Sequence, residues 1–434
     1  MKFGVRREDK SPWERRVPLV PVDLKALRDA GIRTVVQTSP RRAFGDEEFA
    51  AAGVQVQEDL SDCDVIIGIK EIPPPKLEAG KIYLFFPHVI KGQPANMPML
   101  RRLMELGATL IDYERIVDET NRRLIFFGRL AGLAGMVNTL WALGKRLDVE
   151  GIPSPFSRLK QARNYTDLSG AREDLQRIAL HIAKDGVPDA VHPLVIGVTG
   201  YGNVSRGAQE ILDLLPVEPV CPADLSAAAN DRPLSRKAIY KVVFEEGDLV
   251  EPLESGQAFS LEGYYRRGKE GYRSIFERYL DDLSVLVNCI YWDDRFPRLL
   301  TLDQCRQLWA SRRPPKLKVI GDISCDVNGS VECTVKTTEP GNPVYVYEPR
   351  TGKAYDGFEG DGPVIMAVDI LPAEIPRESS IDFSRVLKQF LPEIGKADFS
   401  KGFEEVSLPP ELKRAVIVYQ GELTAEYAYL KSFL

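Results

Sequence analysis

The chain has 434 residues, of which 44% are hydrophobic and 28% charged, and its formal net charge at pH 7 is −6. The length favours two domains, and the composition is ordinary for a globular protein. A negative net charge provides no overall attraction to nucleic acid or to an anionic membrane, so we predict neither as a partner.

The N-terminal segment and the cysteines narrow the class further. The N-terminus is charged, and no apolar run approaches the roughly 20 residues of a membrane span, which predicts a cytoplasmic protein. The six cysteines are scattered, form no CxxC pair and have no histidine at metal-ligand spacing. Several of them lie in apolar runs, where we predict buried thiols, and we predict no metal site.

Strand and helix patterns alternate through the first part of the chain. Strands are predicted at 2–7, 34–37, 65–70, 82–86 and 109–113, and helices at 22–30, 46–52 and 96–106. This alternation predicts an α/β fold in which a parallel sheet is covered on both faces.

A long apolar helix is predicted next, at 130–147, where small residues on one side would let another helix approach closely. Further strands are predicted at 217–220, 285–292, 319–326 and the start of 364–380, with a helix at 274–280 and an irregular, charged stretch at 224–271. The C-terminal part is predicted to be helical at 384–390, 411–416 and 424–434. Such helices commonly pack on the first domain, so we predict a discontinuous first domain (1–127 and 376–434) and a second domain (128–375).

The segment from Leu194 to Gln209, LVIGVTGYGNVSRGAQ, predicts a dinucleotide site. An apolar strand is followed by a glycine-rich turn and a helix, and glycines let the backbone approach a pyrophosphate at a helix N-terminus. Ser205 stands where the fingerprint prefers a third Gly or Ala, but it is small enough for close packing. The predicted contacts are Gly200, Gly202, Asn203, Val204 and Ser205.

Other strand ends of the second domain are expected at the same crevice, because ligands of open α/β sheets bind at the carboxyl ends of the strands. These predicted cofactor contacts are Asn288, Tyr291 and Asp322. A carboxylate about 20 residues beyond the glycines favours NAD, and a nearby arginine favours NADP. Asp224 is a late candidate for the first role, and Arg206, Arg232 and Arg236 are candidates for the second.

In the first domain, Lys70, Glu71 and His88 follow predicted strands, where catalytic groups are often displayed. A lysine and a histidine at neighbouring strand ends would share acid and base roles. Taken alone, Lys70 and Glu71 also fit a solvated pair. Arg16 and Arg123 suit a substrate carboxylate, although each lies beside a second arginine.

Nine strings carry a family resemblance: ERRVPLVP, IIGIKEIP, FFPHVIKGQ, TLIDYE, RRLIFFGRLAGLAG, GYGNVSRGAQ, VNCIYW, GDISCD and VDILPAEIPRESS. Together they resemble the lysine-forming saccharopine dehydrogenases (lysine–2-oxoglutarate reductases) and, more distantly, the alanine dehydrogenase and transhydrogenase superfamily. Within that family, the chain resembles the reductase half of the bifunctional lysine-degrading enzymes more than it resembles the shorter fungal enzyme.

The resemblance implies two Rossmann-like domains with parallel sheets and a cleft between them. It implies NAD(P)H-dependent, reversible condensation of L-lysine with 2-oxoglutarate to saccharopine. Lys70 and His88 match the family's acid–base pair, and Glu71 and Glu114 match its neighbouring carboxylates. Arg16 and Arg123 match residues that bind substrate carboxylates, and Asp369 matches an aspartate near the nicotinamide. The bifunctional relatives favour NADP as cofactor, with NAD as the alternative.

The glutamate-forming half of the bifunctional enzyme has no counterpart here, which implies a free-standing reductase and a separate glutamate-forming saccharopine dehydrogenase acting next. One alternative is another amino-acid dehydrogenase of the superfamily, either an alanine dehydrogenase or one that makes a different N-carboxyalkyl amino acid. A nucleotide sensor without turnover is a second alternative. It is disfavoured because a sensor has no need of Lys70, His88 and Arg16.

Overall fold

A computed structural model describes residues 1–225, 234–310 and 315–434. The chain forms two compact units: the first unit comprises 1–127 and 376–434, and the second unit comprises 128–375. No helix in the described ranges is both long enough and apolar enough to cross a membrane.

Residues 1–127 alternate between strand and helix. The strands are β1 (Lys2–Val5), β2 (Arg33–Gln37), β3 (Gln55–Gln57), β4 (Val65–Ile67), β5 (Ile82–Phe85) and β6 (Thr109–Asp112). The helices are α1 (Pro21–Asp29), α2 (Asp46–Ala51) and α3 (Met97–Glu105). Helix α1 begins with a proline, whose fixed φ suits a first helical turn, and it buries Leu24 and Leu27.

Residues 128–375 hold a second series of elements. The strands are β7 (Val195–Thr199), β8 (Val217–Pro219), β9 (Ile239–Phe244), β10 (Val250–Pro252), β11 (Tyr272–Ser274), β12 (Val285–Asn288), β13 (Val319–Asp322), β14 (Val344–Glu348), β15 (Lys353–Asp356) and β16 (Val364–Met366). The helices are α4 (Gly128–Val149), α5 (Leu168–Asp185), α6 (Asn203–Leu212), α7 (Glu246–Leu249), α8 (Leu261–Arg267) and α9 (Leu302–Ala310).

The C-terminal residues return to the first unit. They form the helices α10 (Pro376–Leu387), α11 (Leu391–Lys396) and α12 (Pro410–Arg414) and the strands β17 (Val416–Tyr419) and β18 (Glu422–Leu423). Ser380 and Ser384 of α10 accept hydrogen bonds from the backbone N–H groups of Val17 and Val20, at 2.9 and 3.0 Å.

Each unit contains one eight-stranded sheet. The first sheet has the order β18-β17-β6-β5-β4-β1-β2-β3, and the second has the order β15-β14-β16-β13-β12-β7-β9-β8. Pairing is parallel from β6 to β3 and from β16 to β8, whereas β17, β18, β14 and β15 add antiparallel edges. The predicted α/β class with two sheets is confirmed, with the correction that each sheet has an antiparallel edge.

Several local predictions were wrong. The stretch predicted to be irregular contains β9, and the helix predicted at 274–280 is only a 3₁₀ turn, Phe276–Tyr279. The helix predicted to end at Val416 ends at Arg414, because the β-branched and aromatic run VIVY is fully buried as strand β17. The last predicted helix is a 3₁₀ helix, Ala425–Phe433.

Candidate active site

The carboxyl ends of β1, β4, β5 and β6 lie at one edge of the first sheet, because these strands are parallel and adjacent. Pairings of Ile67 with Leu84 and of Phe85 with Asp112 keep the ends level. The Tyr113 hydroxyl donates to the Gly68 carbonyl at 2.9 Å, which ties the loops after β6 and β4 together. The predicted site residues of the first unit all follow these strands.

Glu71 and His88 form the centre of this edge. The Nδ1 atom of His88 lies 2.8 Å from Glu71 Oε1, and Lys10 Nζ lies 2.7 Å from the same oxygen. Burial alone would raise the pKa of Glu71, but the contacts with His88 and Lys10 outweigh it and lower the pKa to about 2. Because an ionised carboxylate can only accept, the His88 Nδ1 atom carries a proton, and the other ring nitrogen, Nε2, is the one that can exchange a proton with a ligand.

The backbone at His88 has a positive φ of 47°, which is uncommon for a residue with a side chain. Asn96 holds this conformation by donating from Nδ2 to the His88 carbonyl at 3.0 Å. The imidazole is thus held both through its ring and through its backbone.

Lys70 is positioned by Glu8, a residue that the sequence did not single out. The two oxygens of the buried Glu8 carboxylate accept from the backbone N–H groups of Ile69 and Lys70, at 2.7 and 3.0 Å. Burial and, next, the positive charge of Arg16 lower the pKa of the Lys70 amine. A lysine with a lowered pKa is suited to act as a general base nearer neutral pH.

Arg16 already has a carboxylate partner in the first unit. Its Nε and Nη2 atoms bond Glu14 at 2.8 and 2.6 Å, both side chains are buried, and the guanidinium lies 4.3 Å from the centre of the Phe127 ring. The atoms that would grip a substrate carboxylate are therefore engaged by Glu14. The substrate-binding role of Arg16 stays a prediction and requires Glu14 to give way.

Arg123 and Glu114 are brought together after β6. Arg123 Nη2 lies 3.1 Å from Glu114 Oε1, and the arginine side chain is 50% exposed. The neighbouring Arg122 instead bonds Asp118 through Nε at 2.9 Å. Of the two adjacent arginines, Arg123 is the one directed to the predicted site carboxylate, and its exposure leaves guanidinium surface for a ligand.

The glycine-rich turn of the second unit has the features of a phosphate cradle. Gly200 has a φ of 80°, which side-chain-bearing residues rarely adopt, and its N–H donates to the Phe244 carbonyl at 2.8 Å. At Gly202 a Cβ would meet no atom within 4 Å, and no side chain caps the start of α6. The N–H groups of the first turn, at Asn203 and Val204, are thus not covered by a cap, which fits a pyrophosphate.

Helix α6 packs unusually closely on α4, as the small residues of the long apolar helix predicted. A Cβ on Gly207 would lie 2.0 Å from the Arg129 carbonyl oxygen, and one on Gly132 would lie 2.0 Å from the Val204 oxygen. Ser205 is fully buried and accepts from Gln209 Nε2 at 3.0 Å. A small residue is therefore required at this third fingerprint position.

Hydrogen bonds of Asn288 and Asp322 join the carboxyl ends of β7, β12 and β13. Thr199 Oγ1 donates to Asn288 Oδ1 at 3.0 Å, and Asn288 Nδ2 donates to Asp322 Oδ1 at 2.8 Å. Thr334 donates to the other Asp322 oxygen at 2.6 Å. Both predicted residues are buried, and burial raises the pKa of Asp322 to about 6. Their bonds are internal, so a direct contact of either residue with a cofactor stays a prediction.

A cavity of about 240 Å³ adjoins the glycine turn. Gly200, Gly202 and the 80%-exposed Tyr291 line it, together with Tyr201, Tyr265 and Glu246. Glu246, which lies two residues after the end of β9, was missed because that strand was not predicted. Among the residues that the structure describes, no group of three or more His, Cys, Asp and Glu could hold a metal ion.

The remaining predicted cofactor residues lie apart from one another. Asp224 is exposed in a 3₁₀ turn after the edge strand β8, two strands away from β7. Asp369 is exposed in the turn after β16. Arg206 is exposed on α6, and Arg236 precedes the amino end of β9, where Nη2 donates to the Val187 carbonyl at 2.9 Å. Arg232 lies outside the described residues.

Comparisons with known proteins support the fold and the resemblance. Residues 4–134 match the family described as alanine dehydrogenase/PNT, N-terminal domain. Alpha-aminoadipic semialdehyde synthase of Arabidopsis thaliana is 38% identical over 98% of this chain and 41% of its own length. The mouse protein named alpha-aminoadipic semialdehyde synthase, mitochondrial, is 35% identical over 99% of this chain and 47% of its own length. The chain thus spans less than half of these relatives.

A shorter relative is covered almost completely. Saccharopine dehydrogenase [NAD(+), L-lysine-forming] of Emericella nidulans is 27% identical over 89% of this chain and 90% of its own length. Among solved structures, an L-alanine dehydrogenase has the same fold, with a TM-score of 0.61 and 18% identity over 100% of this chain and 99% of that chain. The resemblance predicted from the sequence strings is confirmed.

Proposed function

We propose that this chain, a relative of the alpha-aminoadipic semialdehyde synthases and of the L-lysine-forming saccharopine dehydrogenases, is a lysine–2-oxoglutarate reductase. It would use NADH or NADPH to join L-lysine and 2-oxoglutarate into saccharopine, reversibly. The observation that carries the proposal is that Glu71 bonds the His88 ring at the strand edge that also carries the partly buried Lys70, whose pKa is lowered. The first unit would be the substrate domain and the second unit the dinucleotide-binding domain.

The first unit would carry out the proton transfers of the reaction. Lys70, whose pKa is lowered, would take a proton from the ε-ammonium group of the substrate lysine, because only the neutral amine attacks the ketone. His88 would accept a proton at Nε2 from the nitrogen as the C–N bond forms, and return it to the oxygen to complete the carbinolamine. The charge of Glu71 would stabilise the imidazolium between these two events. The proton that Lys70 took from the ammonium group would then pass to the hydroxyl, so that water leaves and the protonated imine remains.

The arginines and the second carboxylate would position the keto acid. Arg123, held by Glu114, would bind one substrate carboxylate with its exposed guanidinium surface, and Arg16 would bind the other if Glu14 gives way. When bound, the dinucleotide supplies the hydride that reduces the imine. Gly200, Gly202 and the start of α6 would hold its pyrophosphate.

Cofactor type and location are further proposals. The bifunctional relatives favoured NADP, but Arg236 is at the wrong end of its strand to meet a 2′-phosphate near the glycine turn. A cytoplasmic location is proposed from the sequence, whereas the mouse relative is named as mitochondrial. A separate glutamate-forming saccharopine dehydrogenase would consume the product.

Initial rates test the proposed function. The purified chain is assayed for oxidation of NADH and NADPH with lysine alone, with 2-oxoglutarate alone and with both. Turnover that requires both substrates supports the proposal. Turnover with pyruvate and ammonia, and none with lysine, would instead support the alternative amino-acid dehydrogenase, for which residues 4–134 and the shared fold are the grounds.

A further inference from the structure

In the second sheet, the order of the strands differs from their order along the chain. The strand that follows α6 along the chain, β8, lies at the edge, and β9 lies between it and β7. In a doubly wound sheet, the carboxylate that binds the adenosine ribose follows the strand beside the glycine strand. Here that strand is β9, whose residues 240–244 pair in parallel with 195–199 of β7.

Glu246 occupies the position that follows β9. Phe244, the last residue of the strand, accepts the Gly200 N–H, so the strand end is bonded to the glycine turn itself. Two residues later, Glu246 lines the cavity that Gly200 and Gly202 also line. Its Oε1 atom accepts from the Tyr265 hydroxyl at 2.6 Å and lies 3.5 Å from the hydroxyl of Tyr201, a residue of the turn.

We propose that Glu246 binds the 2′- and 3′-hydroxyl groups of the adenosine ribose and makes this chain select NADH over NADPH. The inference rests on the proposed function, because it assumes a dinucleotide at the glycine turn. A carboxylate that accepts two phenol hydroxyls can accept two ribose hydroxyls in the same way. The 2′-phosphate of NADPH would instead place like charge beside it.

Two of the described arginines near the cavity are already engaged by other side chains. A neighbouring cavity shares Tyr265 and is lined by Arg267 and Arg295. Arg295 bonds both oxygens of Asp293, at 2.9 and 2.8 Å, and Arg267 bonds Gln257 at 3.1 Å. Asp224, the carboxylate that spacing favours, is separated from β7 by both β8 and β9. Glu246 is therefore the carboxylate that the topology favours.

Binding measurements on the full chain test the inference without requiring turnover. Dissociation constants for NADH and NADPH are measured by fluorescence titration for the wild type and for Glu246→Gln, which keeps the size and removes the charge. Glu245→Gln is the matched control, because Glu245 is an exposed carboxylate next to Glu246 in the chain, and Asp224→Asn tests the carboxylate predicted from spacing along the chain. Glu246→Asp tests whether a shorter carboxylate restores selectivity, and thermal melting verifies that each variant is folded.

We expect the wild type to bind NADH at least about tenfold more tightly than NADPH, as the loss of one charged hydrogen bond implies. Glu246→Gln should weaken NADH binding by a similar factor and narrow the ratio of the two dissociation constants, with Glu245→Gln unchanged. Loss of NADH selectivity in Asp224→Asn instead would overturn the inference. Tighter NADPH binding by the wild type, or an unchanged ratio in Glu246→Gln, would overturn the inference even if lysine and 2-oxoglutarate are turned over. Binding of neither dinucleotide would overturn the proposed function as well.

Discussion

The candidate sites of the two sheets differ in kind, although each lies at the carboxyl ends of the parallel strands of its own sheet. In the first unit, the loops after β1 and β4 display Glu8, Lys70 and Glu71, whose pKa values are shifted by burial and by neighbouring side chains. In the second unit, the loops after β7 and β9 offer a glycine turn and uncapped backbone N–H groups, while Asn288 and Asp322 are engaged internally.

The difference indicates a division of labour. Proton transfer needs titratable side chains, and the low dielectric of a partly buried edge tunes them. Binding a pyrophosphate needs backbone donors at short range and no bulky side chains. We therefore expect substitutions at the charged strand ends of the first unit to reduce turnover, and substitutions at the glycine turn of the second unit to weaken dinucleotide binding.

The largest effect is expected for Lys70→Met. Removing the amine should lower kcat by roughly 10²- to 10⁴-fold, the range for loss of a general base. Dinucleotide affinity should stay within about twofold of the wild type, because the second unit is untouched. Lys76→Met, an exposed lysine of the same loop, is the control and should keep its activity. Weaker dinucleotide binding by Lys70→Met would contradict the division of roles between the two units.

A smaller loss of turnover is expected for Glu71→Gln, roughly 10- to 100-fold, because a charge-assisted hydrogen bond to His88 is removed. The variant should also alter acid stability. Since the pKa of Glu71 is lowered from 4.5 to about 2, its ionised form stabilises the fold above pH 4.5, and this contribution disappears as the pH falls towards 2. Melting curves from pH 2 to 7 should show less acid loss for Glu71→Gln than for the wild type. Equal pH dependence would contradict the ion pair.

Gly202→Ala should weaken dinucleotide binding by roughly tenfold without loss of stability, since a Cβ would enter the path of the pyrophosphate. The free protein has open space at this position and φ is −72°, so the substitution causes no strain by itself. Gly402→Ala, also in open space but in the first unit, is the matched control. Unchanged NADH and NADPH affinities for Gly202→Ala would exclude the turn as the cradle.

Asp322→Asn should give the smallest effect, on stability alone. The pKa of Asp322 is raised from 3.8 to about 6, so its contribution to stability is full below pH 3.8 and is lost as the pH rises through 6. The asparagine amide has nearly the same shape as the carboxyl group but does not ionise, so the variant does not lose this stability. The variant should gain about 1 kcal/mol, or roughly 2–4 °C in melting temperature, at pH 7 relative to pH 4. An unchanged difference between the two pH values would show that Asp322 is not destabilised by ionisation.

The sequence predicted what depends on local pattern. Strand-end positions of Lys70 and His88, the glycine turn and the small residues of α4 all follow from short runs of residues. Strand β9 was missed because its six residues stand within a charged stretch. The insertion of β9 between β7 and β8 depends on pairing across the sheet, which spacing along the chain does not encode. Asp224 was therefore predicted, and Glu246 was missed.

Long-range contacts account for the other omissions. Glu8 fixes the backbone of Lys70 across 62 positions of sequence, and a run of charged residues near the N-terminus gives no sign of this bond. Glu14 occupies the fork of Arg16, although each residue alone is consistent with an exposed position. Such contacts exist only in the folded chain, where a buried charged side chain must be paired with a partner.

Isotope transfer tests the central claim, that the charged edge of the first unit directs hydride to an imine of lysine and 2-oxoglutarate. The chain is incubated with nicotinamide cofactor deuterated at the transferred position, together with both substrates, and the products are identified by mass spectrometry. We expect saccharopine with deuterium on the carbon that was the ketone of 2-oxoglutarate. Deuterated 2-hydroxyglutarate, or saccharopine without deuterium, would contradict the claim.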